Sequence, residues 1–111
     1  MVDIKTSGRI LLKDGKRVVE LSTEATDALV INQLIVILLK NVRTDDDRNI
    51  VCYDLDGNFK WQVSKLVKLH SKNYFVGIEV RADKLYAYSI SGIEYCLNPI
   101  SGEVLESQLV K

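Results

Sequence analysis

Three turn sequences at a constant spacing constrain the fold of this chain more than any other feature. Asp14-Gly15, Asp56-Gly57 and the segment from Asn98 to Gly102 each separate two runs of β-prone residues. Asp14, Asp56 and Asn98 lie 42 residues apart. An Asp-Gly pair between apolar runs is a strong hairpin signal, because type I′ turns need positive φ at both central residues. The pattern predicts three β-hairpins and favours an internal repeat of about 42 residues.

The stretches between the hairpins also have the composition of strands. Four further strands are predicted at residues 28–31, 34–39, 75–80 and 84–88. Short connections of this kind favour an antiparallel meander of about eight to ten short strands, in a half-barrel or propeller-blade-like form. We expect residues 1–111 to form one mostly-β domain, since that length supports one modest core.

Helix signals are few. Residues 22–27 have the composition of a single helical turn. Residues 62–71 fit either a short amphipathic helix or a strand, and we favour the strand because the apolar residues alternate almost as well with period two.

Charge and hydropathy restrict the partners. The chain has 15 Lys and Arg residues and 15 Asp and Glu residues, so its net charge is zero. This balance argues against wholesale nucleic-acid binding, whose affinity depends on neutralising phosphates. The N-terminus lacks a signal-peptide pattern, and the longest apolar run, residues 34–39, is too short to span a bilayer. We therefore expect a cytoplasmic protein that binds neither nucleic acid nor membrane.

One basic segment keeps a nucleic-acid alternative open. Its positive side chains would be flanked by two aromatic residues, Trp61 and Tyr74, on which bases could stack. The positive residues are Lys60, Lys65, Lys68, His70 and Lys72. We favour the simpler interpretation, in which Trp61 belongs to the core and the lysines are solvated.

Candidate catalytic groups are sparse. Cys52 and Cys96 have no CxxC spacing, and we expect both to be reduced and buried. His70, the single histidine, lies among lysines and is expected at the surface. The six glycines are scattered and form no phosphate-binding loop. We therefore expect no catalytic residues, no cofactor and no metal site.

The run Asp45-Asp46-Asp47 is the most distinctive charged feature. It lacks the alternating ligands and distal Glu of a calcium loop, so it is either a solvated loop or part of an acidic docking surface. Asp54 and Asp56 would extend that surface; alternatively, Asp56 stabilises the turn and Asp54 is simply exposed. Tyrosines often anchor protein interfaces, which makes Tyr53 a candidate anchor. The candidate partner-binding residues are Asp45, Asp46, Asp47, Asp54, Asp56 and Tyr53.

Two hairpin sequences resemble the outer hairpin of quinoprotein-type propeller blades. Residues 50–61 (IVCYDLDGNFKW) show alternating apolar residues, Leu-Asp, a Gly-containing turn and a Trp, and residues 94–105 resemble the longer form of this hairpin. A closed propeller needs at least about four blades, and a chain of this length holds about two and a half. The resemblance therefore implies blade-like sheets without a cofactor, because the cofactor-binding residues of those enzymes have no counterpart here.

As a small β protein with an acidic loop, the chain also resembles the immunity proteins of bacterial contact-dependent growth inhibition systems. That resemblance implies a non-catalytic protein that neutralises a basic toxin domain, such as a nuclease, by occluding its active site. The alternative is a structural, propeller-blade-like scaffold domain that mediates protein–protein association, for example through exposed sheet edges.

Overall fold

Residues 3–40, 48–63 and 74–109 are described by the computed structural model, and within these ranges the chain forms eleven β-strands and no helix. The strands are β1 (Ile4–Ser7), β2 (Ile10–Lys13), β3 (Lys16–Glu20), β4 (Ala25–Ile31), β5 (Leu34–Leu39), β6 (Ile50–Asp54), β7 (Phe59–Gln62), β8 (Phe75–Arg81), β9 (Lys84–Ser89), β10 (Ile93–Leu97) and β11 (Val104–Leu109). They make three antiparallel sheets: sheet 1 (β1-β2-β3), sheet 2 (β4-β5-β6-β7) and sheet 3 (β8-β9-β10-β11). The predicted mostly-β antiparallel fold is confirmed.

The three predicted hairpins are confirmed as β2–β3, β6–β7 and β10–β11. At the first turn, Asp14 and Gly15 both have positive φ, at 51° and 82°, as a type I′ turn requires. Asn32 and Gln33 have the same geometry between β4 and β5. Strand β1 was not predicted from the sequence. Residues 22–27 form no helical turn, because β4 begins at Ala25, and residues 64–73 lie outside the described ranges.

Sheet 2 is buried on both of its faces, which makes it the centre of a three-layer stack. Successive residues of β5 point to opposite sides of the sheet. Ile35, Ile37 and Leu39 belong to the apolar cluster shared with sheet 1, whereas Val36 and Leu38 belong to the cluster shared with sheet 3. Full burial of each such side chain contributes on the order of 1.5–3 kcal/mol. The continuous apolar run therefore reflects a strand with no solvated face.

A buried amide joins sheet 2 to sheet 3. Asn49, which is almost fully buried, donates from Nδ2 to the carbonyls of Leu39 (3.0 Å) and Phe75 (2.8 Å). Its Oδ1 accepts a hydrogen bond from the Phe75 N–H at 2.9 Å. Because buried polar groups are costly unless paired, these three bonds fix the start of β8 against the end of β5.

Hairpin turns dock onto the neighbouring sheet at two places. Gly57, in the β6–β7 turn, approaches sheet 1 so closely that a Cβ there would lie 2.8 Å from the Val18 carbonyl oxygen. Gly102, in the β10–β11 turn, lies against the indole of Trp61 in sheet 2. The indole Nε1–H also donates to the Pro99 carbonyl at 2.9 Å. Sheets 2 and 3 are therefore each held to the preceding sheet by a docked hairpin turn as well as by packing of apolar side chains.

The three hairpins share a β-bulge. The pairing shifts register after Leu11 in the first hairpin, after Cys52 in the second and after Cys96 in the third. These three residues are therefore equivalent by register, at spacings of 41 and 44 residues. The 42-residue repeat stays a prediction, since the turns and the bulges differ slightly in spacing.

The close contact between Gly102 and Trp61 generates a stability prediction. Gly102→Ala should destabilise the protein by at least about 2 kcal/mol more than Gly15→Ala, because overpacking adds to the backbone penalty. Both glycines have similar positive φ (78° and 82°), but a Cβ at Gly102 would lie 2.4 Å from the Trp61 ring, whereas a Cβ at Gly15 would meet no described atom within 4 Å. Urea unfolding followed by Trp61 fluorescence measures both variants. Equal losses in the two variants would contradict the docking contact.

Candidate functional site

The tip of the β6–β7 hairpin carries two of the predicted binding residues in roles opposite to the expected ones. Asp54 is half-buried and stabilises the turn: its Oδ1 accepts the N–H groups of Asp56 and Asn58, each at 2.9 Å. Its Oδ2 accepts from the Asn58 Nδ2 at 3.1 Å. Asp56 is the exposed carboxylate. The alternative in which Asp56 stabilises the turn is therefore wrong, because the residue before the tip has the geometry to cap the following N–H groups.

Hydrogen bonds keep Asp54 ionised. The bonds from Asn58, backbone first and side chain second, lower the pKa of the Asp54 carboxyl below its usual value, with a smaller contribution from the Lys60 charge. Burial opposes this shift only in part. Asp54 is therefore ionised at neutral pH, and its hydrogen bonds hold the carboxylate in one position.

An aromatic pair lies on the same hairpin, on the side of sheet 2 opposite to Asp54. The rings of Tyr53 and Phe59 meet edge to face, with centroids 5.8 Å apart, and Phe59 is 58% exposed. Phe59 is not among the residues predicted from the sequence, because simple alternation places it on the same side as Trp61, which is predicted to be in the core. The bulge at Lys60 reverses that parity: Trp61 pairs with Cys52, and Phe59 pairs with Tyr53. A single-residue bulge therefore brings Phe59 to the side of Tyr53.

Positive charge offsets the acidity of the tip. The Lys13 ammonium donates to the Leu55 carbonyl at 2.8 Å, and exposed Lys60 follows Phe59 in the chain. Two carboxylates and two ammonium groups therefore share this end of sheet 2. The predicted acidic character of the surface depends on Asp45, Asp46 and Asp47, which lie outside the described residues.

Tyr53 also borders an open groove between sheets 1 and 2, of about 480 Å³. Arg9 and Glu20 lie on the sheet 1 side, with 3.8 Å between the Arg9 Nη2 and the Glu20 Oε2. Leu39 and Val51 contribute apolar surface. The groove is open to solvent, and it brings together an ion pair, a tyrosine and the hydroxyl residue Ser22.

The remaining tyrosines separate into two groups. Tyr95 is 7% exposed and packs edge to face on Phe75, so it is part of the core rather than an interface anchor. Tyr86 and Tyr88 are half-buried on the side of sheet 3 that faces away from sheet 2. Burial, reinforced by a hydrogen bond to Glu79, raises the pKa of Tyr88 to about 12.

A polar network covers this outer side of sheet 3. The Arg81 guanidinium lies 4.0 Å from the ring centroid of Tyr86 and forms ion pairs with Glu79 and Glu94. Tyr88 donates its hydroxyl proton to Glu79 and accepts a hydrogen bond from Arg81 at 3.2 Å. The corresponding side of sheet 2 instead carries an apolar cluster that includes Val36, Leu38 and Trp61.

Two sheet faces lie at the ends of the stack, with no other described sheet over them. Ile10 and Leu12 alternate with buried Leu11, so they point away from sheet 2. The residues that pair with them point the same way, and together they form the sheet-1 end face. It comprises Lys5, Ser7, Ile10, Leu12, Arg17 and Glu20. The sheet-3 end face comprises Glu79, Tyr86, Tyr88, Glu94, Glu106 and Gln108.

Chemically reactive groups are few in the part of the chain that the structure describes. Cys52 and Cys96 are free and buried, as expected, and burial raises the pKa of the Cys52 thiol to about 12. Within residues 3–40, 48–63 and 74–109, no group of three or more His, Cys, Asp or Glu side chains has the geometry of a metal site. In the same ranges, no helix is long and apolar enough to cross a membrane. His70 lies outside them.

Comparisons with known proteins identify a family and a fold. The sequence pattern of the family described as "Domain of unknown function (DUF7957)" matches residues 1–109. No curated protein matches the sequence. Among solved structures, the crystal structure of the computationally designed Ika8 protein is similar, with a TM-score of 0.63 and 11% sequence identity. The match covers 97% of this chain and 36% of the designed chain, so this fold corresponds to about a third of that protein's length.

The lowered pKa of Asp54 predicts an acid-dependent stability term. Its unfolded-state pKa is near 3.8 and its folded-state pKa is lower, so its contribution is complete above about pH 4 and is lost as the pH falls through the folded value. Asp54→Asn should therefore lose stability at pH 7 and lose less at pH 3. Asp56→Asn is the control, since its exposed carboxylate has no such turn-capping role. Chemical unfolding at both pH values tests this, and an equal loss at pH 7 and pH 3 would contradict it.

Proposed function

We propose that this chain, which belongs to the family described as "Domain of unknown function (DUF7957)", is a non-catalytic domain whose blade-like sheets mediate protein–protein association. The observation that carries the proposal is the contrast between the middle sheet and the outer ones. Sheet 2 buries both faces, whereas sheets 1 and 3 each turn one face away from the stack. Neither outward face is covered by another described sheet, so each is available to a partner surface.

The composition of the end faces supports this proposal. On the sheet-3 end face, Tyr86 and Tyr88 supply aromatic area, and Arg81 lies across them. Tyrosine and arginine are enriched at protein interfaces because they combine a large contact area with hydrogen bonding. Next to this face, β11 is exposed along its whole length, with Leu105 at 59% and Leu109 at 64% exposure. An edge strand of this kind offers unpaired backbone groups together with apolar side chains.

Site-specific photocrosslinking tests the association. A benzophenone side chain placed at Gln108, on the sheet-3 end face, should give protein adducts in cells that express the chain. The same group at exposed Gln33, in the β4–β5 turn, is the control and should give far fewer. Absence of Gln108 adducts, or equal yields at both positions, would argue against association through the end face.

We propose toxin neutralisation as a second candidate function, supported by the Tyr53–Phe59 pair, in which Phe59 is exposed, and by the ionised Asp54 carboxylate on the same hairpin. An aromatic anchor with neighbouring carboxylates suits a basic protein surface, such as the cleft of a nuclease toxin. The proposal retains Asp45, Asp46, Asp47 and Asp56 as charged contacts. It also places the protein in the cytoplasm of a bacterium, in keeping with its two free cysteines.

Calorimetry with the purified product of the adjacent upstream gene, together with growth rescue in cells that express it, tests the second candidate. Nanomolar binding and rescue are expected. Phe59→Ala should weaken binding by at least about tenfold if the aromatic pair is an interface anchor. Ile100→Ala is the matched control, because Ile100 is an exposed apolar side chain on a different hairpin. Absence of heat and of rescue would exclude that partner.

A further inference from the structure

We infer that the partner of this domain is a second copy of the same chain, stacked head to tail, with the sheet-1 end face of one copy on the sheet-3 end face of the next. This inference rests on the proposed association function and names its partner. It follows from one sheet-to-sheet contact that occurs twice inside the chain. At each end of the stack, one of the two surfaces that make this contact has no described partner.

The internal contact has the same parts at both places where it occurs. In each case a turn glycine of one sheet docks onto the preceding sheet. Gly57 approaches the Val18 carbonyl and the side chain of Val19, and Gly102 contacts Trp61. Val19 and Trp61 occupy equivalent positions, because each pairs with the residue at which its hairpin's bulge begins. Sheet 2 is thus placed on sheet 1 in the same way as sheet 3 is placed on sheet 2.

Sheet 3 and sheet 1 each carry one of the two parts of this contact without its counterpart. In sheet 3 the residue equivalent to Val19 and Trp61 is Glu106, which pairs with Cys96 at the third bulge and is exposed. In sheet 1 the turn glycine is Gly15, and no atom of the described residues lies within 4 Å of the position that its Cβ would take. The same chain therefore carries both an unused turn and an unused docking position.

The charges at these two ends are complementary. Arg17 in sheet 1 is equivalent by register to Phe59 in sheet 2. Phe59 lies on the side of sheet 2 that faces sheet 1, so Arg17 lies on the side of sheet 1 that would face a preceding sheet. In the proposed stack, Arg17 and neighbouring Lys16 of one copy lie above Glu106 of the next. At the two internal contacts the position equivalent to Glu106 holds apolar Val19 or Trp61. In the proposed stack it holds the exposed Glu106 carboxylate, which faces the exposed cations Lys16 and Arg17. Opposite charges at matched positions fix the register of an interface and disfavour other partners.

The remaining charges of the two faces agree with this arrangement. The sheet-1 end face also has Lys5, which lies 3.9 Å from the Asp3 carboxylate, and Glu20, whose carboxylate lies 3.8 Å from Arg9. The sheet-3 end face has Glu79 and Glu94, which already share the Arg81 guanidinium. Among the described carboxylates of that face, Glu106 is thus the one left for an approaching cation. Because the two joined surfaces are different, the contact is heterologous and builds rings or longer assemblies.

Charge reversal tests the stack on the purified full chain. Sedimentation velocity over a range of concentrations should show wild-type mass rising above that of the monomer. Arg17→Glu or Glu106→Arg alone should weaken association by about tenfold or more, because each places like charges together. The double variant R17E/E106R restores opposite charges and should recover association. Lys40→Glu and Glu24→Arg are matched reversals at exposed positions outside both end faces, and they should associate like the wild type.

The outcomes separate this inference from the proposed function. Circular dichroism first establishes that each variant is folded. Wild-type protein that stays monomeric at all concentrations, or a double variant that does not recover, would overturn head-to-tail stacking. If the purified chain is monomeric while Gln108 adducts to a different protein still form in cells, the stacking inference fails and the association function stands. If neither occurs, both fail.

Discussion

The burial of sheet 2 on both faces is the constraint on which the rest of the structure depends. Strand β5 (Leu34–Leu39) has no solvated side, so its neighbours must provide apolar surface in two directions. Sheets 1 and 3 do so, and each thereby fixes which of its own faces points outward. The network around Arg81 and the row of Lys5, Leu12 and Arg17 lie where they do because the opposite sides of their sheets are committed to this core.

The docked turns fix the relative position of neighbouring sheets, which burial of apolar surface alone does not fix. Two flat sheets in apolar contact can slide, because the hydrophobic effect is not directional. The Gly102 turn under the Trp61 ring, with the indole N–H bound to the Pro99 carbonyl, fixes the sheets at one offset. Asn49 does the same at the opposite end of the interface. The repetition of these contacts, more than the length of the repeat, is what makes the end faces complementary to one another.

This architecture separates two possible modes of protein binding. The hairpin end at Tyr53 and Phe59 is a small site with one exposed aromatic ring, Phe59, and nearly balanced local charge, suited to a single localised contact. The end faces are broad and formed by regular sheet, suited to another sheet. A tip contact would leave the ends free, and an end contact would leave the tip free, so the two proposals do not exclude each other. Burial keeps the Cys52 thiol protonated at neutral pH.

The sequence by itself determined the local structure. Turn residues that accept positive φ and period-two alternation located the three hairpins and the four strands between them, and the apolar run of β5 indicated a buried strand. The tertiary structure alone decided how strands are grouped and which side chains share a face. Strand β1 has no strong pattern and exists because β2 pairs with it. Phe59 reaches the surface because a bulge at Lys60 reverses its parity, and Asp54 rather than Asp56 holds the turn. Bulges and sheet stacking depend on residues distant in sequence, so period and composition cannot encode them.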